Sequence, residues 1–157
     1  MDRKIIEPAY IAVLCEELHC RGAAIVFTNG VFDLLHPGHV CYLTEARALG
    51  THLVVALNTD ESVHRIKGPE RPIVPLDARA EVMAAMECVS FVTWFDEDTP
   101  AEIIRMVRPD ILVKGSDWSP DRIVGKDSVE AYGGRVLNIP LLEGYSTTAI
   151  IQKILDL

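Results

Sequence analysis

The sequence predicts an α/β protein with an open sheet of five parallel strands and helices on both of its faces. Short apolar runs alternate with helical patterns along all 157 residues. Some runs, such as residues 52–58 (HLVVALN), are almost continuously apolar, as expected for parallel strands that are buried on both faces. A polar or glycine-containing segment follows most of the runs, at the edge where such sheets bind ligands.

The elements follow from local signals in chain order. The first 22 residues supply one helix, and residues 23–157 are expected to form the core of a single domain. Gly50 closes the second helix, while Thr99 as N-cap and Pro100 at the first helical position open a later one. Residues 59–75 are expected to form an irregular polar loop, because prolines and a glycine interrupt the second half. The predicted strands are 23–28, 52–58, 89–95, 110–114 and 135–139, and the predicted helices are 8–21, 38–49, 76–87, 100–108, 126–132 and 147–157.

Composition narrows the class of protein. Hydrophobic residues make up 49% of the chain, which is too many for a disordered protein. A net charge of −8 argues against a nucleic-acid-binding protein, because such proteins carry a basic surface. No apolar run approaches the roughly 20 residues of a membrane span, and the N-terminus has no signal peptide. We therefore expect a cytoplasmic protein with no nucleic-acid or membrane partner.

Cysteine usage agrees with a reducing compartment. The four cysteines contain no C-x-x-C pair, and their neighbours are apolar or helical. We expect buried, reduced thiols rather than zinc ligands or disulfides at Cys15, Cys20, Cys41 and Cys88.

The most informative segment is the turn TNGVFDLLHPGH, residues 28–39, between the first strand and the second helix. A helix N-terminus presents unpaired N–H groups and a partial positive charge, so it suits phosphate. His36 and His39 stand at that end, Pro37 suits the first helical position, and Gly38 lets a ligand approach the backbone. The turn predicts a site that holds a polyphosphate and donates hydrogen bonds to it.

Three more polar motifs follow predicted strands. They are NTD at residues 58–60, KGSDW at 114–118 and EGYSTT at 143–148. Parallel strands bring all of these segments to the same edge of the sheet as the turn. The sequence therefore predicts one ligand site at the edge of a Rossmann-like sheet.

With these motifs, the chain resembles the cytidylyltransferase-like nucleotidyltransferases, which share an H-x-G-H motif. Residues 36–39 match that motif, and residues 143–148 look like a second family motif, E-G-x-S-T-T. Within the family, the chain most resembles the heptose 1-phosphate adenylyltransferases. That resemblance lies in residues 28–50, 55–60, 65–68 with 71–72, 112–118 and 143–151.

The resemblance implies a reaction and its partners. AMP would pass from ATP to D-glycero-β-D-manno-heptose 1-phosphate, giving ADP-heptose for lipopolysaccharide or another surface glycan, and pyrophosphate. Mg²⁺ would enter with ATP, without a dedicated protein metal site. Because many such domains follow a sugar kinase and only one helix precedes this core, we expect a stand-alone version that depends on a separate heptose kinase. A homodimer is expected.

The resemblance also implies site residues. The catalytic residues would be His36 and His39, on the triphosphate, and Lys67, which would reach the α- or β-phosphate from a mobile loop. The nucleotide would be bound by Thr28, Asn29, Gly30, Val31, Phe32, Gly38, Lys114, Gly115, Asp117, Glu143, Ser146 and Thr147. The sugar phosphate would contact Asp33, Asn58, Asp60 and Arg79.

Other interpretations remain open at this stage. Arg79 could be a cation on a helix surface, Lys67 a solvated loop charge, and Asp117 a turn residue. A cytidylyltransferase acting on glycerol 3-phosphate is the alternative enzyme, although such enzymes tend to carry Arg where this chain has Leu141. A nucleotide-binding module without catalysis is the third reading. The joint presence of the two histidines, Lys67 and the Ser-Thr pair argues against it.

Overall fold

Five parallel strands form one sheet, in the order β3-β2-β1-β4-β5. The structure is a computed structural model that describes residues 4–116, 119 and 122–157. The strand order changes direction between β1 and β4, so the crevice beyond their carboxyl ends is the expected ligand site. The strands are β1 (Ile25–Gly30), β2 (His52–Asn58), β3 (Phe91–Phe95), β4 (Ile111–Gly115) and β5 (Arg135–Ile139).

Helices alternate with these strands, and the predicted Rossmann-like α/β fold is confirmed. The crossovers are the helical connections that parallel neighbours require. The helices are α1 (Pro8–Cys20), α2 (Pro37–Ala48), α3 (Asp60–Lys67), α4 (Leu76–Ala85), α5 (Ala101–Val107), α6 (Lys126–Ala131) and α7 (Thr147–Leu155).

The sheet is buried on both faces, which explains its continuous apolar runs. Along β2, Leu53, Val55 and Leu57 belong to one apolar cluster with buried residues of α2 and α4. Val54 and Ala56, which point the other way, belong to a second cluster with buried residues of α1, α5 and α6. The central strands therefore have no solvated face, and the rigid sheet fixes the positions of the loops at its edge.

Two local predictions were wrong. Residues 59–75 are not all loop, because α3 occupies the first half. Thr59 caps that helix by accepting a hydrogen bond from Ser62 N at 3.2 Å. Acidic residues in its first turn and basic ones in its last turn suit the helix dipole. Thr99 is not the cap of α5: Pro100 occupies that position, and its carbonyl accepts from Ile104 N at 3.0 Å.

The thiol prediction holds only in part. All four cysteines are free, and Cys15 is buried, which raises the pKa of its thiol to about 12. Cys20 and Cys41 are exposed instead, because each lies on the solvent side of its helix, and Cys88 is half-buried. Among the described helices, none is long and apolar enough to cross a membrane.

Candidate active site

A cavity of about 790 Å³ opens at the carboxyl edge of the sheet. Its wall is built from the β1–α2 turn, the ends of the other strands and the start of α7. This is the predicted edge, and the volume lies in the range of sites that bind small molecules. The predicted motifs therefore do converge on one cavity, apart from the residues considered below.

The β1–α2 turn has an unusual backbone that brings its rings together. Phe32 adopts the left-handed region at φ +47°, which is rare for a residue with a side chain. Its ring folds back over Gly30, where a Cβ would stand 3.0 Å from the Phe32 ring. The same ring lies 5.3 Å from the imidazole of His39, centroid to centroid. The turn therefore packs Phe32 as a support beneath the histidine.

His36 and His39 form a stacked pair at the N-terminus of α2. Their ring centroids are 3.9 Å apart, with the planes tilted by 24°. Gly38 permits this arrangement, since a Cβ there would meet the His36 ring at 3.0 Å. Across the part of the chain that the structure describes, Nδ1 of each histidine is buried and has no hydrogen-bond partner. Buried polar atoms are normally paired, so two orphans side by side indicate a place for a ligand.

Burial disfavours a positive charge on this pair before any ligand arrives. Burial lowers the pKa of His36. Burial, together with the charge of His36, lowers the pKa of His39 to about 4. A bound polyanion would act in the opposite direction, because negative charge favours the imidazolium. The pair can therefore gain positive charge when phosphate binds.

The start of α7 closes the cavity beside the histidines. Ser146 caps the helix by accepting from Ala149 N at 3.0 Å, and Thr147 Oγ1 donates to the Leu34 carbonyl at 3.2 Å. The ring of Tyr145 is stacked on His36 at 6.2 Å between centroids. Two helix N-termini, those of α2 and α7, therefore face the same cavity.

Two lysines reach the cavity from opposite sides. Lys114, at the end of β4, donates to Asn29 Oδ1 at 2.5 Å. Lys67 is the last residue of α3 and is exposed. Lys114 is therefore held next to β1, while Lys67 approaches from the β2 side.

Most of the residues predicted to bind nucleotide line this cavity. Thr28 lies beneath the lining, where its hydroxyl is 2.8 Å from that of Tyr42, and Glu143 is exposed outside the lining. Asp117 and Trp118 lie outside the described residues. The predicted nucleotide-binding residues that line the cavity are Asn29, Gly30, Val31, Phe32, Gly38, Lys114, Gly115, Ser146 and Thr147.

The predicted sugar-phosphate residues are divided. Asn58 lines the cavity, and its amide nitrogen donates to Ser62 Oγ at 3.0 Å. Asp33, Asp60 and Arg79 are not among the lining residues, and their side chains bond to other parts of the chain. The surface-cation interpretation of Arg79 is wrong, because the residue is only 2% exposed.

Sequence reasoning missed part of the wall. Asp98 and Thr99 line the cavity beyond the end of β3, and Tyr145 lines it from the loop before α7. The signal for the first two was available: they follow a predicted strand, as the recognised motifs do. Among the described residues, no group of three or more His, Cys, Asp or Glu is placed to hold a metal ion.

Comparison with known proteins identifies relatives over most of the chain. The model of the cytidylyltransferase-like family matches residues 27–153. The chain is 58% identical to the bifunctional protein HldE of Syntrophotalea carbinolica over 136 residues, 87% of this chain and 28% of that protein. It is 50% identical to the bifunctional protein HldE of Trichlorobacter lovleyi over 155 residues, 99% of this chain and 32% of that protein. The chain thus spans less than a third of the length of these curated relatives.

A solved structure is similar as well. It is the crystal structure of the lipopolysaccharide core biosynthesis protein from Thermoplasma volcanium, with a TM-score of 0.64 and 30% sequence identity. The match covers 80% of this chain and 100% of that one. The chain is therefore similar to known proteins in both sequence and fold.

Proposed function

Because this chain belongs to the cytidylyltransferase-like family, we propose that it transfers AMP from ATP to D-glycero-β-D-manno-heptose 1-phosphate and releases pyrophosphate. The observation that carries the proposal is the stacked histidine pair, with two buried, unpartnered ring nitrogens at a helix N-terminus in the cavity. The similarity to HldE proteins and to a lipopolysaccharide core biosynthesis protein favours a sugar phosphate as the acceptor. The product would serve lipopolysaccharide or another surface glycan.

The chemistry is a displacement at the α-phosphorus of ATP. An oxygen of the sugar phosphate forms a bond to this phosphorus, and the bond from the phosphorus to the oxygen bridging to the β-phosphate breaks. The attacking phosphate is already ionised near neutral pH, so no residue has to remove a proton. Catalysis therefore depends on aligning the two anions and on stabilising the charge that grows on the leaving pyrophosphate.

The residues of the cavity suit that task. His36 and His39 would donate hydrogen bonds to the triphosphate and gain charge as it binds. Lys67 would stabilise the α- or β-phosphate, while Ser146 and Thr147 would present the N-terminus of α7. Imidazole and ammonium donors bind phosphate rather than Mg²⁺. The ion would therefore be carried by phosphate oxygens and water, and would neutralise part of their charge.

The two substrates would enter from opposite sides of β1. The nucleotide would lie toward β4, near Lys114 and Gly115. The sugar phosphate would lie toward β2 and β3, where Asn58 lines the cavity. Under this proposal the enzyme is cytoplasmic, acts as a homodimer and depends on a heptose kinase for its substrate.

The test is pyrophosphate release with each pairing of ATP or CTP with heptose 1-phosphate or glycerol 3-phosphate. We expect turnover with ATP and heptose 1-phosphate. His39→Ala serves as the matched control that excludes a contaminating activity. Turnover only with CTP would refute the adenylyltransferase proposal. Nucleotide binding without turnover in any pairing would favour a non-catalytic module.

A further inference from the structure

We infer that Asp33 and Arg71 act as a positioning pair, which holds residues 68–75 against the β1–α2 turn and thereby sets where Lys67 enters the cavity. The role of Lys67 in this inference rests on the proposed function. The argument begins with Asp33, whose side chain is 1% exposed. Its carboxylate accepts from Arg71 Nε at 2.8 Å and from the backbone N–H groups of Ile73 and Val74 at 2.8–3.0 Å.

Arg79 holds the same segment at Val74, whose N–H donates to Asp33. Its side chain is fully buried, and its Nε and Nη1 atoms donate to the carbonyls of Val74 at 2.9 Å and Val31 at 2.7 Å. Its Nη2 atom donates to the Asn58 carbonyl at 2.9 Å and to Asp60 Oδ1 at 2.6 Å. One guanidinium therefore joins the β1–α2 turn, the end of β2, the first residue of α3 and residue 74. We call Asp33, Asp60, Arg71 and Arg79 the brace.

Lys67 lies between two residues of the brace, Asp60 and Arg71, that are each held by hydrogen bonds. Its helix is fixed at Asp60, and the chain is fixed again at Arg71. On the outer side of α3, Arg65 bonds to the side chains of Asp96 and Asp98 beyond β3. The intervening turn is short, with Arg71 N donating to the Gly68 carbonyl at 3.1 Å. The predicted mobile loop is thus anchored on three sides.

The four residues of the brace position the segments around the cavity but do not line it. None of the four is among the lining residues, whereas Lys67 and Asn58 are. The polar side-chain atoms of Asp33, Asp60 and Arg79 bond to one another, to Arg71 or to the backbone, so little of these three is left to bind a sugar phosphate. We therefore assign Asp33, Asp60 and Arg79 to positioning, in place of the contact with the sugar phosphate predicted from the sequence.

A double-mutant cycle separates positioning of Lys67 from a merely structural role. Arg71→Ala is suitable because the Arg71 side chain is 18% exposed and Asp33 keeps two backbone partners. We expect this change to lower kcat about tenfold, since small misplacements of a catalytic group are costly. The KM for ATP should change by less than about twofold, as expected when transition-state contacts are lost. In a Lys67→Ala background, Arg71→Ala should add less than about a twofold loss. Arg105→Ala, on α5, is the matched control and should leave kcat unchanged.

Three kinetic outcomes would overturn the inference. The first is a full, additive loss in the Lys67→Ala background, and the second is an unchanged kcat in Arg71→Ala. The third is a Lys67→Ala variant as active as the parent, because Arg71 could then not act through that lysine. Failure of the proposed function is distinct from these, since the parent protein would then release no pyrophosphate.

Hydrogen exchange tests the anchoring itself without any turnover. In Arg71→Ala, the amides of Ile73 and Val74, which donate to Asp33, should exchange about tenfold or more faster, while those of β1 and β2 should not change. Arg105→Ala is again the control. Unchanged exchange of the Ile73 and Val74 amides would show that Asp33 and Arg71 do not hold the segment, and would overturn the inference.

Discussion

The brace and the histidine pair meet in the β1–α2 turn, where Asp33 lies three residues before His36, yet their polar atoms differ in hydrogen bonding. Asp33 accepts from Arg71 and from two backbone amides, and every side-chain nitrogen of Arg79 donates. His36 and His39, three and six residues after Asp33, each keep a buried Nδ1 without a partner among the described residues. The contrast underlies our proposal: the satisfied groups of the brace hold the fold, and the unpaired ring nitrogens in the cavity would bind the ligand.

The largest expected effect is a loss of stability when a residue of the brace is removed. Arg79→Ala removes a buried guanidinium that donates to three carbonyls and to Asp60 Oδ1. We expect the free energy of unfolding to fall by about 3–5 kcal/mol, because each buried acceptor left without a donor costs about 1–3 kcal/mol. Chemical denaturation measures it, with the exposed Lys153→Ala as the control, expected within about 0.5 kcal/mol of the parent. A loss below about 1 kcal/mol would mean that the brace does not hold the fold.

A change in the histidine pair should lower kcat more than it lowers stability. His39→Ala should lower kcat by roughly 10²- to 10³-fold, comparable to removing one preorganised donor from an oxyanion site. The stability cost should be well below that of Arg79→Ala, because no hydrogen bond of Nδ1 is lost. Steady-state kinetics and unfolding curves measure the two quantities. His52→Ala, at the amino end of β2, is the matched control. Near-parental turnover of His39→Ala would refute its role.

The lowered pKa of His39 predicts how stability depends on pH. The unfolded chain binds a proton on this imidazole near pH 6.5, whereas the folded protein does so only near 4. Between these values the unfolded state holds more protons, so stability should fall as the pH decreases from 6.5 to about 4. His36 and His52 add to the slope, because their pKa values are lowered too. Urea unfolding across this window should therefore show a shallower slope in His39→Ala, and an equal slope would contradict the shift.

The smallest expected effect concerns the ring that covers the histidines. Tyr145 stacks on His36 through its aromatic face, so Tyr145→Phe should keep kcat within about twofold of the parent. Tyr145→Ala removes the ring and should lower kcat about three- to tenfold, by loosening the imidazole that it covers. The pair of variants separates the ring from the hydroxyl. Equal losses in both would mean that the hydroxyl, rather than the stack, matters.

The fold could be predicted because its strands are buried on both faces. A run such as residues 52–58 has few alternatives once helical patterns flank it on both sides. The helix α3 was missed because its sequence is mostly charged and it buries only Ser62 and Val63. Prolines in the following residues then suggested that the whole segment was loop.

The site could be predicted only in part. A turn motif places His36 and His39 at a helix N-terminus, because that relation is local in the chain. The role of Arg79 is not local: its four acceptors come from residues 31, 58, 60 and 74, and nothing in the pattern around Arg79 signals that a cation is buried. The strand-end residues Asp98 and Thr99 lay within reach of the same reasoning that identified the other motifs.

The most direct test of the account is an NMR pH titration of the histidine rings, with and without the non-transferable analogue adenosine 5′-(α,β-methylene)triphosphate. Without the analogue, the pKa of His36 should lie below its usual value and that of His39 at about 4. With it, both pKa values should rise, because the orphan nitrogens would face phosphate, while His52 should not respond. Saturating analogue that leaves both pKa values unchanged would contradict the claim that this pair binds the polyphosphate.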